Sequence, residues 1–183
     1  MSISTSGQAR WRIAGNTPPD NLNAPEWRGE DIAGRTILIW AEQGIGDTLN
    51  FIRYAPLLAA RGARVLAMVQ APVAALVATL PGIEAVVVPG CARPHFDVHA
   101  PLLGLPRHLG GALHQIPHSD GYLAVPPGTP VGLVPPRAGQ RRVGLVWAGN
   151  PTHKNDRNRS LPLERLLPLC TLPGVAFFSL QVG

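Results

Sequence analysis

The chain has 183 residues, of which 45% are hydrophobic, and a formal net charge of +5. This composition is typical of a globular protein and excludes a disordered chain, while the length allows one domain, or one domain with part of another. No apolar run reaches the roughly 18 residues of a membrane span, and residues 1–10 lack the apolar core of a signal peptide. We therefore expect a cytoplasmic protein without a membrane span.

Strands and helices are predicted to alternate from residue 35 onward, after an irregular lead-in segment over residues 1–34. Apolar, partly β-branched runs predict the strands, and apolar positions at helical spacing predict the helices between them. This pattern is typical of an α/β fold with a mainly parallel sheet and helices on both faces, here over residues 35–125. The predicted strands are 36–40, 64–70, 85–88, 96–100 and 122–125, and the predicted helices are 47–60, broken or kinked at Pro56, 72–80, and a turn over 102–109.

The stretch from Thr36 to Tyr54 is the most informative part of the sequence. It contains the strand Thr36–Trp40, the loop Glu42-Gln43-Gly44-Ile45-Gly46, and Asp47 at the start of a helix. In open α/β sheets, ligands bind beyond the carboxyl ends of the strands, and glycines there let the backbone approach a ligand closely. Asp47 is expected either to cap the helix or to face this crevice as a base, and the spacing alone favours the cap.

Other residues able to carry chemistry are scattered along the chain. Asp97 and His99 lie in a later strand-end segment, and we expect them to face the same crevice. The two cysteines, Cys91 and Cys170, have no metal-ligand spacing, so the sequence predicts free thiols and no metal site.

The C-terminal part of the chain is predicted to form a separate unit. Five prolines in residues 126–140 predict a linker without regular structure. Residues 141–183 are predicted as a strand (142–147), a polar loop (148–159), a helix capped by Ser160 and ending near residue 169, and a strand (175–180). Basic residues cluster around this loop, and they suit either nucleic acid or a diphosphate. Aromatic residues for base stacking are absent beside them apart from Trp147, so we expect no nucleic-acid partner.

Several strings of the sequence, taken in order, resemble the glycosyltransferase region of bacterial tetratricopeptide-repeat proteins. That region is similar to glycosyltransferase family 9, the heptosyltransferases of lipopolysaccharide synthesis. The resemblance covers nearly everything from Trp27 onward. The strings that carry it are Trp40–Leu58, Arg61–Val65, Leu80–Gly82, Phe96–Pro106, Val143–Pro151, Asn155–Pro162 and Phe178–Gln181.

The resemblance implies a GT-B enzyme that moves a sugar from a nucleotide-sugar donor to an acceptor, which could be a glycan, a lipid-linked sugar or a protein. Residues 35–125 would be the N-terminal, acceptor-side Rossmann-like domain, and residues 141–183 the first βαβ unit of the donor-side domain. Asp47 matches the aspartate proposed as the base, and Arg159 stands where heptosyltransferases carry a donor-binding lysine. No metal or other cofactor is implied. The expected acceptor-binding residues are Glu42, Gln43, Gly44 and Gly46, and the expected donor-binding residues are Asn150, His153, Arg157, Arg159 and Ser160.

The sequence pattern allows two functions other than sugar transfer. A non-catalytic Rossmann-like module that binds a nucleotide or a partner fits the same pattern. An NAD enzyme fits it less well, because Leu49 stands in place of a third glycine and no acidic residue follows the second strand, which ends Val69-Gln70. Because the donor-side domain stops short, we expect this chain alone to lack transferase activity, to bind nucleotide sugars weakly, and to self-associate through exposed strands.

Overall fold

The structure, a computed structural model, describes residues 19, 22–110, 112, 116–117, 121–130 and 137–182. The chain divides into two compact units, Met1–Thr129 and Pro130–Gly183. The strand expected near residue 143 belongs to a different sheet from the strand at residues 36–40, so each unit has its own sheet.

The first unit is built on a four-stranded sheet, whose strands lie in the order β3 (Ile83–Val87), β2 (Arg64–Met68), β1 (Thr36–Trp40) and β4 (Val98–Pro101). Every strand pair is parallel, with Ile37 of β1 opposite Val65 of β2 and Val98 of β4. The fold is therefore α/β with a Rossmann-like parallel sheet flanked by helices, as the sequence predicted. Helices were expected on both faces, but the described helices bury their apolar side chains against one face. The elements in chain order are β1 (Thr36–Trp40), α1 (Ile45–Phe51), α2 (Ala55–Ala60), β2 (Arg64–Met68), α3 (Ala71–Val77), β3 (Ile83–Val87), β4 (Val98–Pro101) and α4 (Leu105–Leu109).

Strand β1 is one of the two inner strands of the sheet, and all five of its residues are buried. Ile37 and Ile39 lie in the larger apolar cluster, which also receives the buried apolar side chains of the described helices. Leu38 and Trp40 lie in a second cluster with residues of β2 and β3, against which Leu22 and Phe96 pack. Burial on both faces explains why this strand reads as a continuous apolar run instead of an alternating one.

The helical segment after β1 is divided into α1, a 3₁₀ turn at Ile52–Tyr54, and α2. Pro56 lies in the first turn of α2, where its missing N–H costs no helical hydrogen bond. The predicted break at Pro56 is therefore confirmed. The start of the helix was predicted wrongly, because α1 begins at Ile45 and its N-cap is Gly44, with extended backbone angles (φ −66°, ψ 165°) and no capping side chain.

Residues 22–34 contain no helix or extended strand, yet they contribute to the core of the first unit. Trp27 and Ile32 are both only 1% exposed and lie in the larger cluster. The Trp27 N–H donates to the His99 carbonyl (2.8 Å), and the His99 N–H donates to the Pro25 carbonyl (3.1 Å), which adds a short bridge beside β4. The sequence interpretation placed the start of this unit at residue 35. Its core therefore begins earlier than predicted.

The strand expected at residues 122–125 does not form. The Tyr122 hydroxyl instead donates to the Leu49 carbonyl and accepts a hydrogen bond from Arg53 (3.1 Å). The Ala124 N–H donates to the Thr79 hydroxyl (3.0 Å). These contacts hold the segment against the helices, away from the sheet. Beyond it, residues 131–136 of the expected linker lie outside the described residues, and residues 126–130 and 137–140 contain no helix or strand.

The second unit has one parallel strand pair, β5 (Arg141–Leu145) and β6 (Val175–Ser179). None of its described residues is buried. The helix expected from Ser160 to about residue 169 is wrong, because only short 3₁₀ turns form, at Leu163–Arg165 and Leu167–Thr171. Pro168 has no N–H for a helical bond, and its ring would clash with the carbonyl four residues earlier, at Glu164.

Candidate functional site

The candidate site of the first unit is the glycine loop, which we define as residues 42–46 between β1 and α1. Because β1 lies between β2 and β4, the loop lies between the segments that leave these two strands at the same edge of the sheet. Polar side chains tie the loop to both segments. This edge is where ligands bind in open parallel sheets.

Glu42 ties the loop to the segment beyond β4. Its carboxylate oxygen Oε2 accepts a hydrogen bond from the Leu103 N–H (2.8 Å), and its other oxygen, Oε1, is buried. The protein itself thus engages the Glu42 carboxylate, which stabilises the loop. The acceptor-binding role of Glu42 stays a prediction.

Gln70 ties the loop to the segment beyond β2. Its side-chain nitrogen Nε2 donates to the Gln43 carbonyl (2.6 Å), and its oxygen Oε1 accepts from the Thr48 hydroxyl (2.9 Å). Sequence reasoning considered Gln70 only as a position lacking an acidic residue and missed this role. An amide side chain directly after a strand that neighbours a glycine loop was the available signal.

Gly44 and Gly46 are exposed, and the fold itself does not require either glycine. Neither residue has a positive φ angle, the conformation that favours glycine. A Cβ atom at Gly46 would meet no atom within 4 Å, and one at Gly44 would meet only the Asp47 carboxylate, at 3.6 Å. The space beside both glycines is open, as close approach of a ligand requires.

Asp47 lies in the first turn of α1 and is partly exposed. It is not the N-cap that spacing favoured, and the helix makes no side-chain capping bond. A negative charge in this first turn interacts favourably with the helix dipole. Within the described part of the chain, no hydrogen bond or ion pair engages the Asp47 carboxylate, so it is available to a ligand.

Asp97 lies away from the glycine loop, so its expected place at the crevice is wrong. Asp97 precedes β4 and accepts a hydrogen bond from the Thr36 N–H (2.7 Å) at the amino edge of the sheet. That bond, together with His95, holds the pKa of Asp97 below its usual value. His99 lies within β4 and accepts a hydrogen bond from the Trp40 indole N–H (3.3 Å), and burial lowers its pKa.

The second unit carries the other predicted residues on the loop after β5. Ser160 organises this loop, because its hydroxyl accepts from the Gly149 N–H (2.9 Å) and donates to Asp156 Oδ1 (2.6 Å). The side-chain oxygen of Gln181 accepts from the N–H groups of Trp147 (3.2 Å) and Ala148 (3.0 Å). Ser160 is therefore a scaffold residue here, and Asp156 and Gln181 were missed by sequence reasoning.

The remaining donor-side residues lie on the surface of the same loop. Arg159 packs against Gly149, because a Cβ atom there would lie 3.6 Å from the guanidinium nitrogens Nε and Nη2. Arg157 is exposed. The Asn150 carbonyl oxygen Oδ1 accepts from the Thr152 N–H (2.9 Å), and His153 Nδ1 accepts from the Asn155 N–H (3.1 Å). The structure thus brings Arg159 and Ser160 together at Gly149 and leaves the guanidinium of Arg157 in solvent.

The described residues contain neither a metal-binding cluster nor a membrane-spanning helix. Among the described residues, no group of three or more His, Cys, Asp or Glu side chains is arranged to hold a metal ion. Within the same residues, no helix has the length and apolar character needed to cross a membrane. Cys91 and Cys170 are exposed free thiols.

Comparisons with protein-family models, curated proteins and solved structures give no significant match for this chain. The class of this protein is therefore defined by its fold and its glycine loop alone. The class is an α/β protein whose first unit has a Rossmann-like parallel sheet with a glycine loop and an available carboxylate at its carboxyl edge.

Proposed function

We propose that this chain takes part in sugar transfer from a nucleotide-sugar donor to an acceptor hydroxyl, with Asp47 as the base. One observation carries the proposal: Asp47 follows a glycine loop at the carboxyl end of an inner strand of a parallel sheet. The open space beside Gly44 and Gly46 supports it, because both glycines are explained by a ligand that approaches the backbone. The sequence resemblance to family 9 glycosyltransferases supports the same reaction.

In the proposed reaction, Asp47 removes the proton from the acceptor hydroxyl as the oxygen attacks the anomeric carbon of the sugar. The bond between that carbon and the diphosphate breaks, and the nucleoside diphosphate leaves with the bonding electrons. Gln43, Gly44 and Gly46 contact the acceptor, which is a glycan, a lipid-linked sugar or a protein. The loop is held in place by Glu42, whose bond to Leu103 fixes the strand end.

The donor diphosphate is proposed to bind the loop of residues 148–159 in the second unit, which we call the basic loop. Arg159 and Arg157 neutralise the charge that develops on the leaving group, since guanidinium groups match phosphate oxygens in geometry. Asn150, His153 and Ser160 shape the loop that presents them. The proposed reaction uses no metal and no other cofactor, and it takes place in the cytoplasm.

A non-catalytic binding module is the second candidate. It is favoured by the second unit, in which no described residue is buried, so that its basic loop rests on no packed core. Catalysis needs its charged groups held in one arrangement, whereas binding tolerates a mobile loop. In this alternative the same two loops bind a nucleotide or a partner without turnover.

The experiment is a titration of the purified chain with nucleotide sugars, followed by calorimetry and by release of nucleoside diphosphate. We expect weak binding, with a dissociation constant on the order of 1 mM, which corresponds to about −4 kcal/mol. Arg159→Ala should weaken this binding, and Arg107→Ala, which removes an exposed arginine in the first unit, serves as the matched control. Release of nucleoside diphosphate would exclude the non-catalytic module, and weak binding without release is the result expected of this chain alone. No binding by any nucleotide sugar would refute the donor-binding role of the second unit.

A further inference from the structure

We infer that Gln70 positions the glycine loop and, through it, Asp47. Gln70 directly follows Val69, which continues β2, and it reaches sideways to the loop that follows β1. The part of this inference that concerns Asp47 as a base rests on the proposed function. The part that concerns the loop rests on geometry alone.

The two hydrogen bonds fix the orientation of the Gln70 amide. The Gln43 carbonyl can only accept, so the group that faces it at 2.6 Å is the Nε2 donor. The amide oxygen then faces Thr48, whose hydroxyl donates to it at 2.9 Å. Both ends of one planar amide are therefore engaged, and a rotation of the side chain breaks both bonds.

The two partners of Gln70 lie on either side of Asp47 and the two glycines. Gln43 precedes Gly44, and Thr48 follows Asp47. The two hydrogen bonds of the Gln70 side chain therefore hold both ends of the segment 44–47. Thr48 is buried, and its N–H donates to the Gly44 carbonyl (3.1 Å) in the first turn of α1. The residues of that segment are exposed or partly exposed. The two Gln70 hydrogen bonds therefore fix the backbone position of Asp47, from which its carboxylate extends.

The same geometry gives the position after β2 a role different from ribose recognition. In dinucleotide-binding sheets, an acidic residue near this position binds the ribose hydroxyls. Here the polar atoms of Gln70 are both occupied by the glycine loop, so the loop takes the place of the ribose as its partner. This arrangement agrees with an acceptor-side unit that leaves the nucleotide to the second unit.

The test is amide hydrogen exchange, combined with the ¹³C resonance of the Asp47 carboxyl carbon, in wild type and in Gln70→Ala. Exchange of the Thr48 amide, whose N–H donates to the Gly44 carbonyl, should rise about tenfold, since one to two hydrogen bonds of ordinary net strength are lost. The Asp47 resonance should shift, and the amides of β2 should keep their protection. Gln70→Glu keeps the acceptor for Thr48 but loses the donor to Gln43. Its amide exchange rate should therefore lie between those of wild type and Gln70→Ala.

Thr79→Ala is the matched control, because it also removes two side-chain hydrogen bonds, to Leu76 (2.7 Å) and Ala124 (3.0 Å), at the end of α3. It should leave exchange of the Thr48 amide and the Asp47 resonance unchanged. Loop exchange at the wild-type rate in Gln70→Ala, a rise shared equally by β2, or a wild-type loop in Gln70→Glu would overturn the inference. No substrate is needed, so this result stands apart from the test of sugar transfer.

Discussion

Gly46→Ala should stabilise the first unit, although it changes a residue of the candidate site. Gly46 lies in the first turn of α1, has no positive φ angle, and faces space free of any atom within 4 Å. Alanine there loses no contact and reduces the conformational freedom of the unfolded chain. Gly→Ala substitutions at compatible helical positions contribute about 0.4 to 1 kcal/mol, and we expect the free energy of unfolding to rise by this amount.

Urea unfolding followed by tryptophan fluorescence measures this change. Trp27 and Trp40 are 1% and 2% exposed, so their emission reports unfolding of the first unit. The background substitution Trp147→Phe removes the indole of the second unit from the signal. The midpoint should move to higher urea at constant slope, since the surface exposed on unfolding is unchanged.

Gly82→Ala is the matched control and should have the opposite effect. Gly82 has φ +90°, and a Cβ atom there would lie 2.8 Å from the Ala59 Cβ, so alanine should cost about 1 to 3 kcal/mol. Where nucleotide-sugar turnover is measured, Gly46→Ala should lower it at least about tenfold, because a methyl group occupies the space of the ligand. A lower free energy of unfolding in Gly46→Ala would show that the fold itself requires glycine at this position, and would refute the reasoning.

The remaining predictions concern the base, pH and association. Asp47→Asn should change the free energy of unfolding by less than about 1 kcal/mol, since no cap is lost. In a form of the protein that turns over nucleotide sugars, the same change should lower turnover by roughly 10²-fold, and unchanged turnover would remove Asp47 from the mechanism. Burial lowers the pKa values of His99 and His108 below 6.5, so the unfolded chain binds these protons first. Stability should therefore fall as the pH drops from about 6.5 toward the folded-state pKa values, and His99→Gln should flatten this dependence in urea titrations. Val146 of the second unit is 66% exposed, and Val146→Asp should reduce self-association in sedimentation equilibrium, whereas Val125→Asp, at a 70% exposed site of the first unit, should not.

The sequence by itself determined the parallel sheet and the place of the glycine loop. The apolar run Thr36–Trp40 predicts a strand that is buried on both faces, and the structure has that strand at the same residues. Pro56 predicts the division of the following helix, because proline excludes a continuous helix through local geometry. These features depend on neighbours in the chain, which a single sequence contains.

Only the tertiary structure decided the partners of the polar residues. The pairing of Gln70 with Gln43 and Thr48, and of Asp97 with Thr36, follows from which strands are adjacent and in what register. Trp27 also reads as part of an irregular segment, and its burial depends on the bridge to β4. A hydrogen bond or a buried contact between residues far apart in the chain depends on the folded positions of both, and no local pattern encodes that distance.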